Sequence, residues 1–183
     1  SGRMNPGGYF DWSPDGSKIA FVSQEKPGTD DWPSQRIHIL DLSSRSVRPL
    51  TSGLDLADDC KPKTPDYAGR SAWKAGESAE LQPMFSPDGK SLAFLVSDAP
   101  PRWSYSRRVF VTSLVGKRCK ALVETPDLQP TLVGWSSDGK HLLATEANGT
   151  TSRILALPVD RRPPLFLGSE TIMVRGARSN ASR

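Results

Sequence analysis

A fifteen-residue phrase occurs three times in this chain. It reads "FDWSPDGSKIAFVSQ" at 10–24, "PMFSPDGKSLAFLVS" at 83–97 and "VGWSSDGKHLLATEA" at 133–147. Trp12, Phe85 and Trp135 share one place, and Ser13, Ser86 and Ser136 share the next. The pairs Asp15-Gly16, Asp88-Gly89 and Asp138-Gly139 follow. A unit repeated at intervals of tens of residues constrains the fold more than any other feature, because the architecture must be assembled from copies of it. The phrase also has a local mechanism. Asp-Gly between apolar stretches signals a hairpin, since glycine accepts positive φ without a Cβ clash. Pro14 and Pro87 preset φ early in the turn, and Ser or Asp can accept a backbone N–H there. Ser137 replaces proline in the third copy, which a type I turn tolerates. Ser13, Pro14, Asp15, Gly16, Ser86, Pro87, Asp88, Gly89, Ser136, Asp138 and Gly139 are therefore read as structural turn formers.

Each turn leads into a short apolar run: Ile19–Val22, Leu92–Val96 and Leu142–Ala144. None alternates with polar residues, the mark of a strand covered on both faces. Then come "RIHILDLSSRSVRPLT" (36–51), "RRVFVTSLVGKRCKALVET" (107–125) and "SRILALPVDRRPPLFLGS" (152–169). Each is an alternating strand, a polar turn and another short strand; Ile37, Ile39, Val109 and Val111 mark inward positions. One unit thus holds four strands of a meander. Ser13 and Ser86 are 73 residues apart, Ser86 and Ser136 only 50. The longer interval fits an insertion at 54–80, rich in turn formers and without a clear period. The expected organisation is blade 1 at 9–53, the insertion at 54–80, blade 2 at 81–125 and blade 3 at 130–169. The stretch 170–183 is a frayed tail or the start of a further blade, with its strand at 171–174.

Four-stranded antiparallel units at this spacing are blades of a β-propeller. The fold class is all-β, an incomplete β-propeller of about three four-stranded antiparallel blades. Closed propellers hold about 4–8 blades. Three leave two apolar blade faces uncovered, so the expectation is a piece of a longer protein that self-associates or recruits a partner through those faces.

The pattern aromatic-Ser-Pro-Asp-Gly-(Lys/Ser)-x-(Ile/Leu)-Ala-Phe resembles the WD-like PD repeat, over about residues 9–169. That repeat belongs to TolB-type propellers and to the N-terminal propellers of prolyl-oligopeptidase-family serine peptidases, including acylaminoacyl and dipeptidyl peptidases. Two copies match fully, while the third lacks its proline. The wording "WSSDGKHLLATEANGTTSRILALPVD" is more similar to a peptidase propeller than to TolB. The resemblance implies a non-catalytic propeller that gates access of short peptides to a separate hydrolase domain of the same parent chain. The alternative is a TolB-like module that binds a protein partner. Membrane-anchored dipeptidyl peptidases of the family hold the substrate amino terminus with a Glu-Glu pair; no two glutamates are adjacent here.

The chain itself offers no catalytic set. Nucleophilic hydrolysis needs a serine or cysteine beside an oriented base, and the G-x-S-x-G elbow is absent. His38 and His141, the two histidines, read as strand residues. Cys60 and Cys119 lack the paired spacing of a zinc site. Asp55, Asp58 and Asp59 lack the pattern of a calcium loop, and no phosphate loop or cofactor motif is present. The two cysteines either pair or stay reduced. Asn148 and Asn180 stand in sequons and are candidate glycosylation sites. Few cysteines and no visible signal peptide lean towards the cytoplasm over a secreted or periplasmic location, and no run is apolar enough for a membrane span. The net charge of +4 comes without a nucleic-acid module, so no nucleic acid is expected as a partner. Loops 24–35 and 97–107, each with Pro and Trp, fall at one rim. There Trp32, Arg102, Trp103 and Tyr105 are candidate contact residues.

Overall fold

The structure is a computed structural model that describes residues 10–26, 28–50, 79–97, 106–115 and 119–168. Among these residues twelve strands are arranged as three four-stranded antiparallel sheets. The first holds β1 (Phe10–Trp12), β2 (Lys18–Ser23), β3 (Arg36–Asp41) and β4 (Ser46–Pro49). The second holds β5 (Glu80–Phe85), β6 (Ser91–Ser97), β7 (Arg107–Ser113) and β8 (Cys119–Ala121). The third holds β9 (Thr131–Trp135), β10 (His141–Asn148), β11 (Thr151–Pro158) and β12 (Leu165–Leu167). Neighbours in sequence are neighbours in every sheet, so each unit is a plain meander. The described residues form a propeller arc of three blades, with no closed barrel among them. β5 opens at Glu80, so blade 2 reaches one residue into the stretch read as an insertion. The rest of that stretch and the strand expected at 171–174 lie outside the described residues. No helix among the described residues is long and apolar enough to cross a membrane.

Two apolar clusters join the blades. Ala20, Val22, Ile37, Ile39 and Leu50 of blade 1 meet Phe85, Leu92, Phe94, Val96, Phe110 and Cys119 of blade 2. On its other side blade 2 turns Leu81, Ala93, Leu95 and Val109 to Leu132, Trp135, Leu142, Ala144, Leu155 and Leu157 of blade 3. Alternate residues of β6 therefore serve different cores, which is why its six apolar-or-small positions after Ser91 are all buried. Each large side chain so covered contributes roughly 1.5–3 kcal/mol. β2 has the same kind of sequence but a different fate. Ala20 and Val22 are buried against blade 2, while Ile19 and Phe21 are only half-buried on the far face, where Phe21 stacks on His38 at 5.6 Å between centroids.

Local irregularities match their residues. Pro83 lacks an N–H and sits at the register shift between Leu81 and Met84, in a strand at the sheet's edge. Between β2 and β3 the chain makes a 3-10 turn, Thr29–Ser34. Cys119 is buried and disulfide-bonded, so of the two states open to it from sequence it takes the paired one. The chain's other cysteine, Cys60, lies outside the described residues.

Candidate functional site

The three repeated turns share one hydrogen-bond network. The N–H of Gly16, Gly89 and Gly139 donates to the carbonyl of Ser13, Ser86 and Ser136, closing each turn at 2.8–2.9 Å. All three glycines have φ between +67° and +69°, a region costly for any side chain with a Cβ. Each serine works on both sides of the hairpin. Its hydroxyl donates to the aspartate two residues on, at 2.6 Å in all three copies. The same oxygen accepts the N–H of Lys18, Ser91 or His141 across the turn. Each aspartate also accepts the N–H of the residue after the glycine, at 3.0 Å. The serine hydroxyl, first, and that N–H, second, hold the carboxyls below the ordinary aspartate range; Asp15 is lowered to about 2. These carboxylates are committed to their own turns. A groove of about 230 Å³ lies between two of the turns, lined by Asp88, Trp135, Asp138, Val111 and Val159 among others.

At the opposite ends of the second and third strands lies the rim where contact residues are expected. Trp32 is half-buried in the 3-10 turn there. Its loop is tied to itself: Asp31 accepts the N–H of Lys26 and the hydroxyl of Ser34, which in turn accepts the N–H of Glu25. Arg102, Trp103 and Tyr105 lie outside the described residues, as does Asn180. Asn148 stands at the exposed β10–β11 hairpin, where Gly149 takes φ +60° and the Thr151 hydroxyl donates to the Asn148 carbonyl.

The most organised polar cluster on this rim went unread in the sequence. Glu146, fully buried near the end of β10, accepts the hydroxyl of Thr125 and the N–H of Gln129. Arg153 of β11 lies opposite Glu146 in the register, with its Nε 3.6 Å from Glu146 Oε2. Its guanidinium reaches Asp127 at 3.5 Å and lies over the Phe166 ring. Arg108 pairs with Glu124 nearby. A signal was present: Leu142, Ala144 and Glu146 fall on one strand face, so the alternation places the glutamate inward. Two half-buried acceptors cross between blades. Asp11 accepts the N–H of Phe85 at 2.7 Å, and burial raises its pKa against that bond. Gln82 accepts the N–H of Leu132.

These hydrogen bonds hold the turns together and tie one blade to the next. His38 Nδ1 faces the Arg36 carbonyl, and neither histidine ring bonds a serine or a carboxylate among the described residues. No three His, Cys, Asp or Glu side chains converge as metal ligands among those residues.

The fold and its repeated turns define a β-propeller arc built of WD-like PD repeats. No family model matches the chain. It is 31% identical over 159 residues to dipeptidyl-peptidase 5 of Trichophyton equinum and equally to that of Trichophyton schoenleinii, matches that cover 85% of this chain. The chain spans 20% of the length of those relatives. Among solved structures it superimposes on TolB from Acinetobacter baumannii with a TM-score of 0.57 at 19% identity, covering 94% of this chain and 34% of that one. A Bacteroides ovatus protein named for dipeptidyl aminopeptidase IV gives 0.52 at 12% identity, covering 87% of this chain and 24% of that one. These structural likenesses are likenesses of fold.

Proposed function

We propose that this chain is part of the propeller of a serine peptidase of the prolyl-oligopeptidase family, and that the propeller gates access of short peptides to a separate hydrolase domain. The observation that carries the reading is the 31% identity, sustained over 85% of the chain, to dipeptidyl-peptidase 5. TolB shares the fold at lower identity, so the sequence likeness favours the peptidase reading over an interaction module. The described residues fit a non-catalytic role. Their turn carboxylates and serine hydroxyls bond one another within each turn, and Asp11 bonds across to the next blade; a steric filter needs a rigid wall rather than a nucleophile.

The test uses the parent polypeptide. Hydrolysis of a dipeptidyl nitroanilide is compared with release of the same dipeptide from the end of a folded protein. Gating predicts turnover of the first and not the second. Turnover of both at equal kcat/KM removes the gate, and turnover of neither removes the peptidase.

A further inference from the structure

The second and third strands of blade 3 are joined more tightly than those of the other blades. In blade 1 residues 24–35 separate β2 from β3, and in blade 2 residues 98–106 separate β6 from β7. In blade 3 only Gly149 and Thr150 stand between β10 and β11. The ladder of blade 3 also runs further. The last pair of β2 and β3, Ser23 with Arg36, comes seven residues after Gly16, whereas Asn148 with Thr151 comes nine after Gly139. Those two extra residues carry the ladder about 7 Å further at the rise of a strand. Gly149 and Thr150, at the tip, are both exposed.

Asn148 does no structural work at this tip. An Asn-Gly pair in a hairpin ordinarily fills both loop positions, where asparagine tolerates positive φ and its side chain bonds the nearby backbone. Here the register sets the pair back by one place. Asn148 is the last residue of the ladder, and the loop is Gly149-Thr150. Gly149 takes φ +60°, while neither Asn148 nor Thr150 is at positive φ, so the glycine alone makes the turn. Asparagine is depleted in strands, and this one gains nothing there. The Thr151 hydroxyl bonds its carbonyl, and its side-chain amide has no partner among the described residues. What the position does hold is the acceptor sequence for an N-linked glycan, Asn148-Gly149-Thr150. Joining a sugar to that amide breaks no bond of the fold. The alternation of β10 puts Asn148 on the face of Leu142, Ala144 and Glu146, so the sugar leaves from the end of that face, past the buried Glu146. Cys119 is disulfide-bonded, and disulfides persist in chains that pass through the endoplasmic reticulum lumen, the route on which such glycans are added.

We propose that Asn148 is a glycosylation site, carrying an N-linked oligosaccharide that projects from the tip of blade 3. The donor is an oligosaccharide linked to a lipid diphosphate. A bond forms between Asn148 Nδ2 and the anomeric carbon of the first sugar. The bond from that carbon to the diphosphate oxygen breaks with its electron pair, and the proton lost from Nδ2 balances the charge of the released lipid diphosphate. The proposal does not depend on the peptidase reading.

The parent polypeptide, purified from the cells that make it, supplies the test. Peptide N-glycosidase acting in heavy-oxygen water turns a glycosylated asparagine into aspartate that carries the heavy isotope. A parallel digest without the enzyme accounts for spontaneous deamidation of the Asn-Gly bond. The tryptic peptide 141–153 is then read by mass spectrometry. It should carry the label at position 148 in most copies with the enzyme, and in few without it. A peptide that is unmodified in most copies, or labelled equally in both digests, overturns the proposal. Variants of the parent expressed in a yeast secretory host separate the sugar from the asparagine itself. Asn148→Gln should remove one glycan, seen as faster migration of the secreted protein. Thr150→Ala, which leaves the asparagine in place, should do the same, and Thr150→Ser should keep the glycan. Should the glutamine variant fail to fold, the alanine variant decides. Migration unchanged by Thr150→Ala overturns the proposal.

Discussion

At the scale of single residues, the repeat serine does more than form a turn. Ser86 accepts an N–H across the hairpin and anchors Asp88. Ser86→Ala should cost about 1–2 kcal/mol by leaving the half-buried Ser91 N–H without its acceptor, readable as a lower urea midpoint with an unchanged m-value. Gly89→Val meets both a φ of +68° and the Pro14 ring. It should cost on the order of 1–3 kcal/mol from backbone strain, whereas a neighbouring Lys90→Ala should shift the midpoint little. The turn aspartates set the acid limit. Asp15, Asp41, Asp88 and Asp138 have folded pKa values below their unfolded ones, chiefly through serine hydroxyls. Their stabilisation is complete above the unfolded aspartate value near 4 and is lost as pH falls through the folded values. Asp11 acts in the opposite sense, because burial raises its pKa and so favours its protonation in the fold. Stability measured by urea at successive pH values should therefore hold from neutrality to about pH 4 and decline below it; a decline already complete by pH 5 would contradict the assignment. The turn itself was legible, because serine, aspartate and glycine act within six residues. The reach of Pro14 to the next blade was not, since nothing within one copy of a repeat reveals what its neighbour brings.

Among the elements, β6 and β2 show where sequence reading reached its limit. Both runs, "LAFLV" and "IAFV", predict a strand covered on two faces. β6 lies between two blades and is buried from Leu92 onwards, whereas the far face of β2 is half-exposed with Phe10 and Trp12 beside it. Composition records the covering a strand is suited to; the neighbours present decide the covering it gets. Phe94→Ala removes a ring buried against Phe110 in the core between blades 1 and 2. The expected cost is about 3–5 kcal/mol. Phe21→Ala, on the open face, should cost clearly less. Equal shifts in thermal midpoint would mean that the face of blade 1 is already covered. The Glu146–Arg153 pair was missed for another reason. The period of the strand marks a glutamate as inward, but its partners come from the 125–129 connection and from β11, and their convergence is a property of the third dimension.

The whole molecule is a chain of similar units whose stability rests on the contacts between them. Cys119 belongs to the core between blades 1 and 2 and is disulfide-bonded. Such bonds persist in oxidising compartments. Cys119→Ser should lower stability by about 2–5 kcal/mol under non-reducing conditions, and excess reductant should bring the unaltered chain to nearly the same melting temperature. A midpoint indifferent to reductant would argue against the bond. The purified chain should also hydrolyse no peptide or ester. Labelling of one serine by a fluorophosphonate probe, abolished by mutating that serine, would overturn this. The direction of the blade contacts has a further meaning in time. Pro14, Arg48, Asp11, Pro87, Lys120 and Gln82 all belong to the earlier-made blade and find their partners in the later one. On the ribosome, at roughly 5–20 residues per second, blade 1 must wait several seconds for blade 2 to emerge. Each blade is thus born as a half-finished surface, and synthesis of the next completes it, so the order of translation is also the order of assembly.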